Sequence, residues 1–275
     1  MIALFPVNDF LSGILFGGVL LLIISSRYLL ISVTAFALFW KVAHKKLSQR
    51  KIQGKPLRKG QIKKEIAWSL ASLFTFALGA PFIGYAANHG LTEIYFDISE
   101  YPAWYTVLTF FIFLFAHDTY FYWSHRFMHW KPVYRFIHKV HHESTSPTPF
   151  TAFAFHPLEA VIEAAIFPIM IFSVPLHPVV LITFATYSNL VNVLGHLGYE
   201  IFPHGFTRGW LGFINTSTHH NQHHEKFHCN YGFYFNVWDR LMNTNHSTYH
   251  ERFNALTKRS AKPTALLPGA IADSQ

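Results

Sequence analysis

"DFLSGILFGGVLLLIISSRYLLISVTAFALFW", residues 9–40, carries a single charge after Asp9, that of Arg27. The run exceeds the roughly 20 residues that cross a bilayer as a helix, so the chain reads as an integral membrane protein. Arg27 is expected to pair inside a helix bundle or to snorkel, because a guanidinium facing lipid is costly. Composition agrees: 51% of residues are apolar and only 13% are charged, a balance that suits lipid better than water. A cleaved signal peptide is not expected, since no basic region precedes the apolar run.

Next comes "KVAHKKLSQRKIQGKPLRKGQIKKE", residues 41–65, with ten of the 22 Lys and Arg residues and one acid, Glu65. Lying between apolar stretches, it predicts a cytoplasmic loop by the positive-inside rule. The net charge of +8 is therefore concentrated in one segment instead of spread along a soluble face, which argues against nucleic acid as a partner. A second span is expected over 66–85. The loop "NHGLTEIYFDISEYPAW" (88–104) has acids and no Lys or Arg, as an outer loop should. A third span, 104–123, returns, and the apolar region 157–195 is split by "SVPLHP" into two limbs of a hairpin. The expected fold class is all-α, a membrane helical bundle of about four to five segments. It reads as one domain over residues 1–275, with a histidine-rich core over 104–245. The tail from Lys258 reads as loosely ordered. A bacterial inner membrane and the endoplasmic reticulum suit this reading equally.

With this threading the dense histidine groups share one membrane face. In "HDTYFYWSHRFMH" (117–129), His125 and His129 are i,i+4 neighbours on a helix. Asp118 lies about 20° off that stripe and His117 about 80°. Asp118 is thus a carboxylate able to orient a ligand, and His117 a packing residue. By the i, i+3, i+4 rule "HKVHH" puts His138, His141 and His142 on one helical face, and "HNQHH" repeats the spacing with His220, His223 and His224. These eight imidazoles exceed the three or four ligands of one zinc, so a pair of metal ions is expected. Nitrogen donors disfavour magnesium and calcium. With one cysteine, Cys229, thiolate-rich sites and iron–sulfur clusters are excluded. A pH-sensing cluster would explain neither the repeated spacing nor the shared face.

His196, at the end of the hairpin, reaches the same face as a ninth ligand, and Asn192 one turn earlier is a weaker or water-mediated candidate. His156, Glu159 and Glu163 share a helical face in "HPLEAVIE". They read either as carboxylate support for the ligands or as acids at a helix start, where the dipole favours them. His219, His228 and Asp239 complete the supporting candidates. His44, His89, His177, His204, His246 and His250 read as ordinary histidines.

"DTYFYWSHRFMH", "HKVHH" and "HHNQHHEKFHCNYGFYFNVWDRLMNT", in that order, resemble the fatty acid hydroxylase/sterol desaturase superfamily of histidine-box di-iron oxygenases. The last box is similar to that of the sterol ring-B desaturases. The resemblance covers 118–244, and the amino-terminal third adds no family motif. It implies a four-helix membrane bundle with a cytoplasmic helical cap. It also implies two non-haem irons held by His125, His129, His138, His141, His142, His196, His220, His223 and His224, with dioxygen as co-substrate. The expected activity is hydroxylation or desaturation of an aliphatic C–H position in a lipid reached from the bilayer, such as a sterol, fatty acyl chain or related isoprenoid.

Such chemistry needs external electrons. No dinucleotide-binding or haem-attachment motif occurs, so a separate donor is expected, a ferredoxin or b-type cytochrome with its reductase. The alternative from another class is a histidine-rich membrane metal transporter or metal-binding protein. A transporter would place its ligands along a mid-membrane path instead of at helix ends. A single-zinc hydrolase does not account for so many imidazoles.

Overall fold

The computed structural model describes residues 7–258, and the tail expected to be loose lies beyond them except for Lys258. The described residues contain helices and isolated β-bridges but no strand. Helix α1 (Phe10–Ala35) starts at a reciprocal cap, Asp9 Oδ1 accepting from Ser12 N while Ser12 Oγ accepts from Asp9 N. It continues as a π-helical stretch, Phe36–Val42. Leu11, Ile14, Leu15, Leu22, Leu30 and Val33 project outward along it, a surface that lipid tolerates and water does not.

Helices α2 (Gln61–Leu78) and α3 (Ala80–Asn88) are nearly continuous, broken at Gly79. Among the described residues three stretches are long and apolar enough to cross a membrane: Phe10–Val42, Gln61–Asn88 and Pro178–Gly195. Helix α4 (Ala103–Met128) matches them in length at 26 residues, but its second half carries Asp118, His125 and Arg126. The first limb of the expected hairpin forms two pieces, α7 (Pro157–Ala164) and α8 (Ile166–Ile171). At 1.5 Å per residue these are roughly 12 and 9 Å long, too short to span. The second limb is the continuous helix α9 (Pro178–Gly195). Both α7 and α9 begin with His-Pro: His156 and His177 accept from Leu158 N and Val179 N, and proline fills the first helical position.

The two ends of the bundle are distinct. At one, the acidic loop meets the hairpin turn, with Glu93 N donating to Ile171 O and Tyr95 N to Leu176 O. At the other, the basic segment lies on the histidine-bearing part: Ile52 N donates to Gly198 O and Glu200 N to Arg50 O. Part of that segment is helical, because α2 already starts at Gln61. Its one acid, Glu65, is buried and accepts from Gln61, Ser144 and Thr148.

Between the ends, α4 and α9 pack through Phe113 and Phe184, fully buried and stacked at 3.9 Å, with Leu114, Val180 and Tyr234 around them. In lipid the close fit of such side chains, more than release of water, holds helices together. Short helices α5 (Lys131–Tyr134), α6 (Lys139–His142), α10 (Ser217–Lys226), α11 (Val237–Leu241) and α12 (Tyr249–Lys258) build the histidine-bearing end.

Candidate metal centre

The nine histidines expected as ligands gather into two groups. One holds His125, His129, His138, His142 and His223; the other holds His141, His196, His220 and His224. Within each group the ring nitrogens lie within 4.8 Å of one another. The helical pitch decides the division. Each i,i+4 pair stays together: 125 with 129, 138 with 142, 220 with 224. The remaining histidine of each HxxHH, His141 or His223, is rotated to the opposite group. The shared face expected for each HxxHH is therefore divided between two sites.

In the first group, the Nε2 atoms of His125 and His138 are 3.0 Å apart, those of His129 and His142 3.1 Å, and those of His129 and His223 3.2 Å. In the second, His196 Nε2 lies 2.9 Å from that of His220, 3.1 Å from His224 and 3.3 Å from His141. Their other nitrogens explain what these approaches mean. His125 Nδ1–H donates to Tyr231 O at 2.8 Å, His223 to Cys229 O at 2.7 Å, His196 to Asn192 O at 2.8 Å, and His138 to Glu159 Oε1 at 2.7 Å. A proton committed to Nδ1 leaves a lone pair on Nε2. His125 and His138 therefore aim two lone pairs at each other across 3.0 Å, an approach that a cation between them relieves. Burial also holds His138, His141, His142, His220, His223 and His224 well below the usual imidazole pKa, which keeps them in the neutral form that binds metal. An all-imidazole donor set fits iron, zinc, copper or nickel. The two clusters are able to hold metal, one with five donors and one with four.

The supporting candidates separate. Glu159 is fully buried against His138. Asp239 is buried and accepts from Tyr231 N (2.8 Å), Gly232 N (2.7 Å) and Thr244 Oγ1 (2.6 Å), fixing the turn whose Tyr231 carbonyl holds His125. Asp118 does not reach a histidine: its Oδ1 accepts from Tyr234 N and Phe235 N, a use of the carboxylate that helical phase alone did not reveal. Asn192 donates from Nδ2 to Ala152 O and offers its backbone carbonyl, not its side chain, to His196. His156 caps α7, and Glu163 faces a cavity without touching a ligand. His219 bonds Asn245 and approaches Asp239, and His228 is exposed; neither joins a group. His117 packs among Phe121, Phe184 and Phe233, as expected.

Residues 224–228, "HEKFH", spell the HExxH of zinc hydrolases. That motif needs both histidines on one helix, but α10 ends at Lys226 and Phe227 turns left-handed at φ 69°. Glu225 meanwhile pairs with Arg252, so no such site forms.

Sequence reasoning missed the carbonyls of Tyr231 and Cys229, which no side-chain pattern announces. It also missed Gln53, whose side chain donates to Asn221 Oδ1 of α10 at 2.6 Å and accepts from Ser146. The one available signal was Gly232 in "NYG": a Cβ there would fall 2.3 Å from Phe235 O, so only glycine fits.

A cavity of about 720 Å³ opens from the histidines into the bundle. His125, His138, His141, His196 and His220 close one end, and the walls of α1, α2, α8 and α9 are mainly apolar. The size suits a drug- or lipid-sized ligand.

Residues 110–244 match the family model described as fatty acid hydroxylase. Lathosterol oxidase of Rattus norvegicus is 35% identical over 185 residues, which cover 66% of this chain and 60% of that protein. Lathosterol oxidase of Homo sapiens is 33% identical over the same shares. A Delta(7)-sterol 5(6)-desaturase of Schizosaccharomyces pombe is 31% identical over 186 residues, 68% of this chain and 60% of that protein. The chain thus spans 60% of the length of these curated relatives. No solved structure matches it.

Proposed function

Since the chain belongs, through residues 110–244, to the fatty acid hydroxylase family, we propose that it is a membrane-bound di-iron oxidoreductase. It uses dioxygen and external electrons to hydroxylate or desaturate an aliphatic C–H position of a lipid. The observation that carries this reading is the pairing of two all-imidazole clusters with the closed end of an apolar cavity. The names of the relatives make a sterol the first substrate class to test.

In this reading His125, His129, His138, His142 and His223 hold one iron, and His141, His196, His220 and His224 hold the other. Two bound irons supply the activation of dioxygen that an unreactive C–H bond requires. The chain contributes the rest. Glu159 and the carbonyls of Tyr231, Cys229 and Asn192 fix four rings with their lone pairs inward. Phe155 and Phe121, against His141 and His125, exclude water. The cavity walls select which carbon lies over the histidines, and that placement decides between a hydroxyl and a double bond.

The histidine end faces the cytoplasm in this proposal, because the basic segment lies on it. A ferredoxin or b-type cytochrome with its reductase docks there, attracted by Lys45, Lys46 and their neighbours. A metal transporter is disfavoured, because the clusters cap the cavity at one end of the bundle instead of lining a path through it.

The test is metal content and Mössbauer spectroscopy of protein grown with enriched iron, followed by turnover of lathosterol and of extracted lipids with a reducing system. Two coupled irons per chain and an oxygen-dependent lipid product support the proposal. One zinc per chain, or no product with any lipid from fully loaded protein, overturns it.

A further inference from the structure

Arg27 stands 17 residues from Phe10 at the start of α1 and 15 from Val42 at the end of its π-helical continuation. At 1.5 Å per residue it is roughly 20–25 Å from either end of that continuous helix. It lines the same cavity as the histidines. Among the described residues its one hydrogen bond is a long one, Nη1 to Thr186 Oγ1 at 3.4 Å, and its Nε is buried with no acceptor. No carboxylate among the described residues forms an ion pair with it. A guanidinium has five donors and a permanent charge, and Arg27, only partly exposed, leaves most of those donors without a partner among the described residues.

The cavity has a register. Leu181, Ile182, Ala185, Ser188, Asn192 and His196 line it along one stripe of α9. Thr186, which carries Arg27, is ten residues before His196, or roughly 15 Å along the axis. A ligand held by Arg27 therefore presents to the histidines a carbon far from its own charged group.

We propose that Arg27 is a specificity-determining residue that binds the oxyanion of an amphiphilic lipid. The substrate is an acidic lipid, oxidised roughly 15 Å from its carboxylate or phosphate. A neutral hydroxyl satisfies some of the donors and leaves the charge uncompensated, so the anionic form is preferred. The acid can sit on an acyl chain or at the far end of a sterol-derived skeleton. This inference rests on the lipid-oxidation reading.

The test measures binding to the purified, metal-loaded protein in detergent, without turnover. Palmitate, cetyl alcohol and hexadecane compare heads on one chain, and lithocholate offers a carboxylate on a sterol skeleton. The wild-type protein should prefer an acid to the alcohol and the alkane. Arg27→Gln should weaken the preferred acid about tenfold or more, leave the alkane and the metal content unchanged, and Arg27→Lys should recover part of the loss. Preference for palmitate assigns an acyl acid, and preference for lithocholate a steroid acid. Equal binding of acid and alcohol by the wild type, or no loss in Arg27→Gln, overturns the proposal. So does a parallel loss of every probe with a lowered melting temperature, which marks Arg27 as structural. If Arg27→Gln does not fold, the wild-type preference and the Lys variant decide. Selective acid binding without turnover of any lipid would sink the oxidase reading alone.

Discussion

His141 and His142 are adjacent in the chain and serve different groups. The Nε2 of His141 lies 3.3 Å from that of His196, whereas the Nε2 of His142 lies 3.1 Å from those of His138 and His223. Successive helical residues point roughly 100° apart, so one turn of helix feeds both sites. His141→Ala and His142→Ala should each leave at most about one iron per chain, from opposite sites. Metal analysis with Mössbauer spectroscopy reads which one remains. Full metal retention in either variant removes that residue from the ligand set.

Glu159 is fully buried and accepts from His138 Nδ1 at 2.7 Å. Removing such a partner lets the ring turn and lowers its basicity. Glu159→Ala should weaken metal retention about 10- to 100-fold, with Glu159→Gln losing less because it keeps an acceptor. Chelator competition measures both, and unchanged retention in the Ala variant would exclude the orienting role.

Gly232 lies where the chain turns under Asp239. A Cβ would meet Phe235 O at 2.3 Å and Asp239 Oδ2 at 2.9 Å, and the displaced turn carries the carbonyl that holds His125. Gly232→Ala should cost about 1–3 kcal/mol of stability and lower metal content. Thermal unfolding in detergent provides the measurement; a melting temperature equal to that of the parent contradicts the crowding.

Acid should unfold the metal-free protein. Burial lowers the pKa of His138, His141, His142, His220, His223 and His224 in the folded state well below 6.5. Below that value the unfolded chain binds more protons than the folded one, so stability rises with pH. The contribution is fully present above about pH 6.5 and declines as pH falls below it. Melting curves from pH 7.5 to pH 5 should show a falling midpoint without metal and a much smaller fall with it. A midpoint independent of pH in the metal-free protein would mean that these rings are hydrated.

The pairs 125 with 129, 138 with 142 and 220 with 224 were legible because a helix repeats every 3.6 residues, and so was the membrane bundle, because apolar runs of that length have few other uses. Hidden from the sequence was that the remaining histidine of each triplet crosses to a second group at all, since that depends on how α6 and α10 face each other. Asp118 shows the same limit. Its phase relative to His125 is correct, yet the backbone of Tyr234 and Phe235, over a hundred residues away, takes its carboxylate. The divided first limb of the hairpin was invisible for a related reason: hydropathy counts apolar residues but not the helix breaks among them.

Because α6 and α10 each lend side chains to both groups, an ion that settles in one freezes the backbone carrying donors for its neighbour. The ordering cost is met at the first binding event and is absent from the second. Loading should therefore be cooperative: at half the iron needed for saturation, the population divides into empty and doubly filled molecules, with few singly filled ones. Native mass spectrometry during a titration distinguishes that division from independent filling. Such a protein passes quickly through the state in which a lone iron meets dioxygen without its partner.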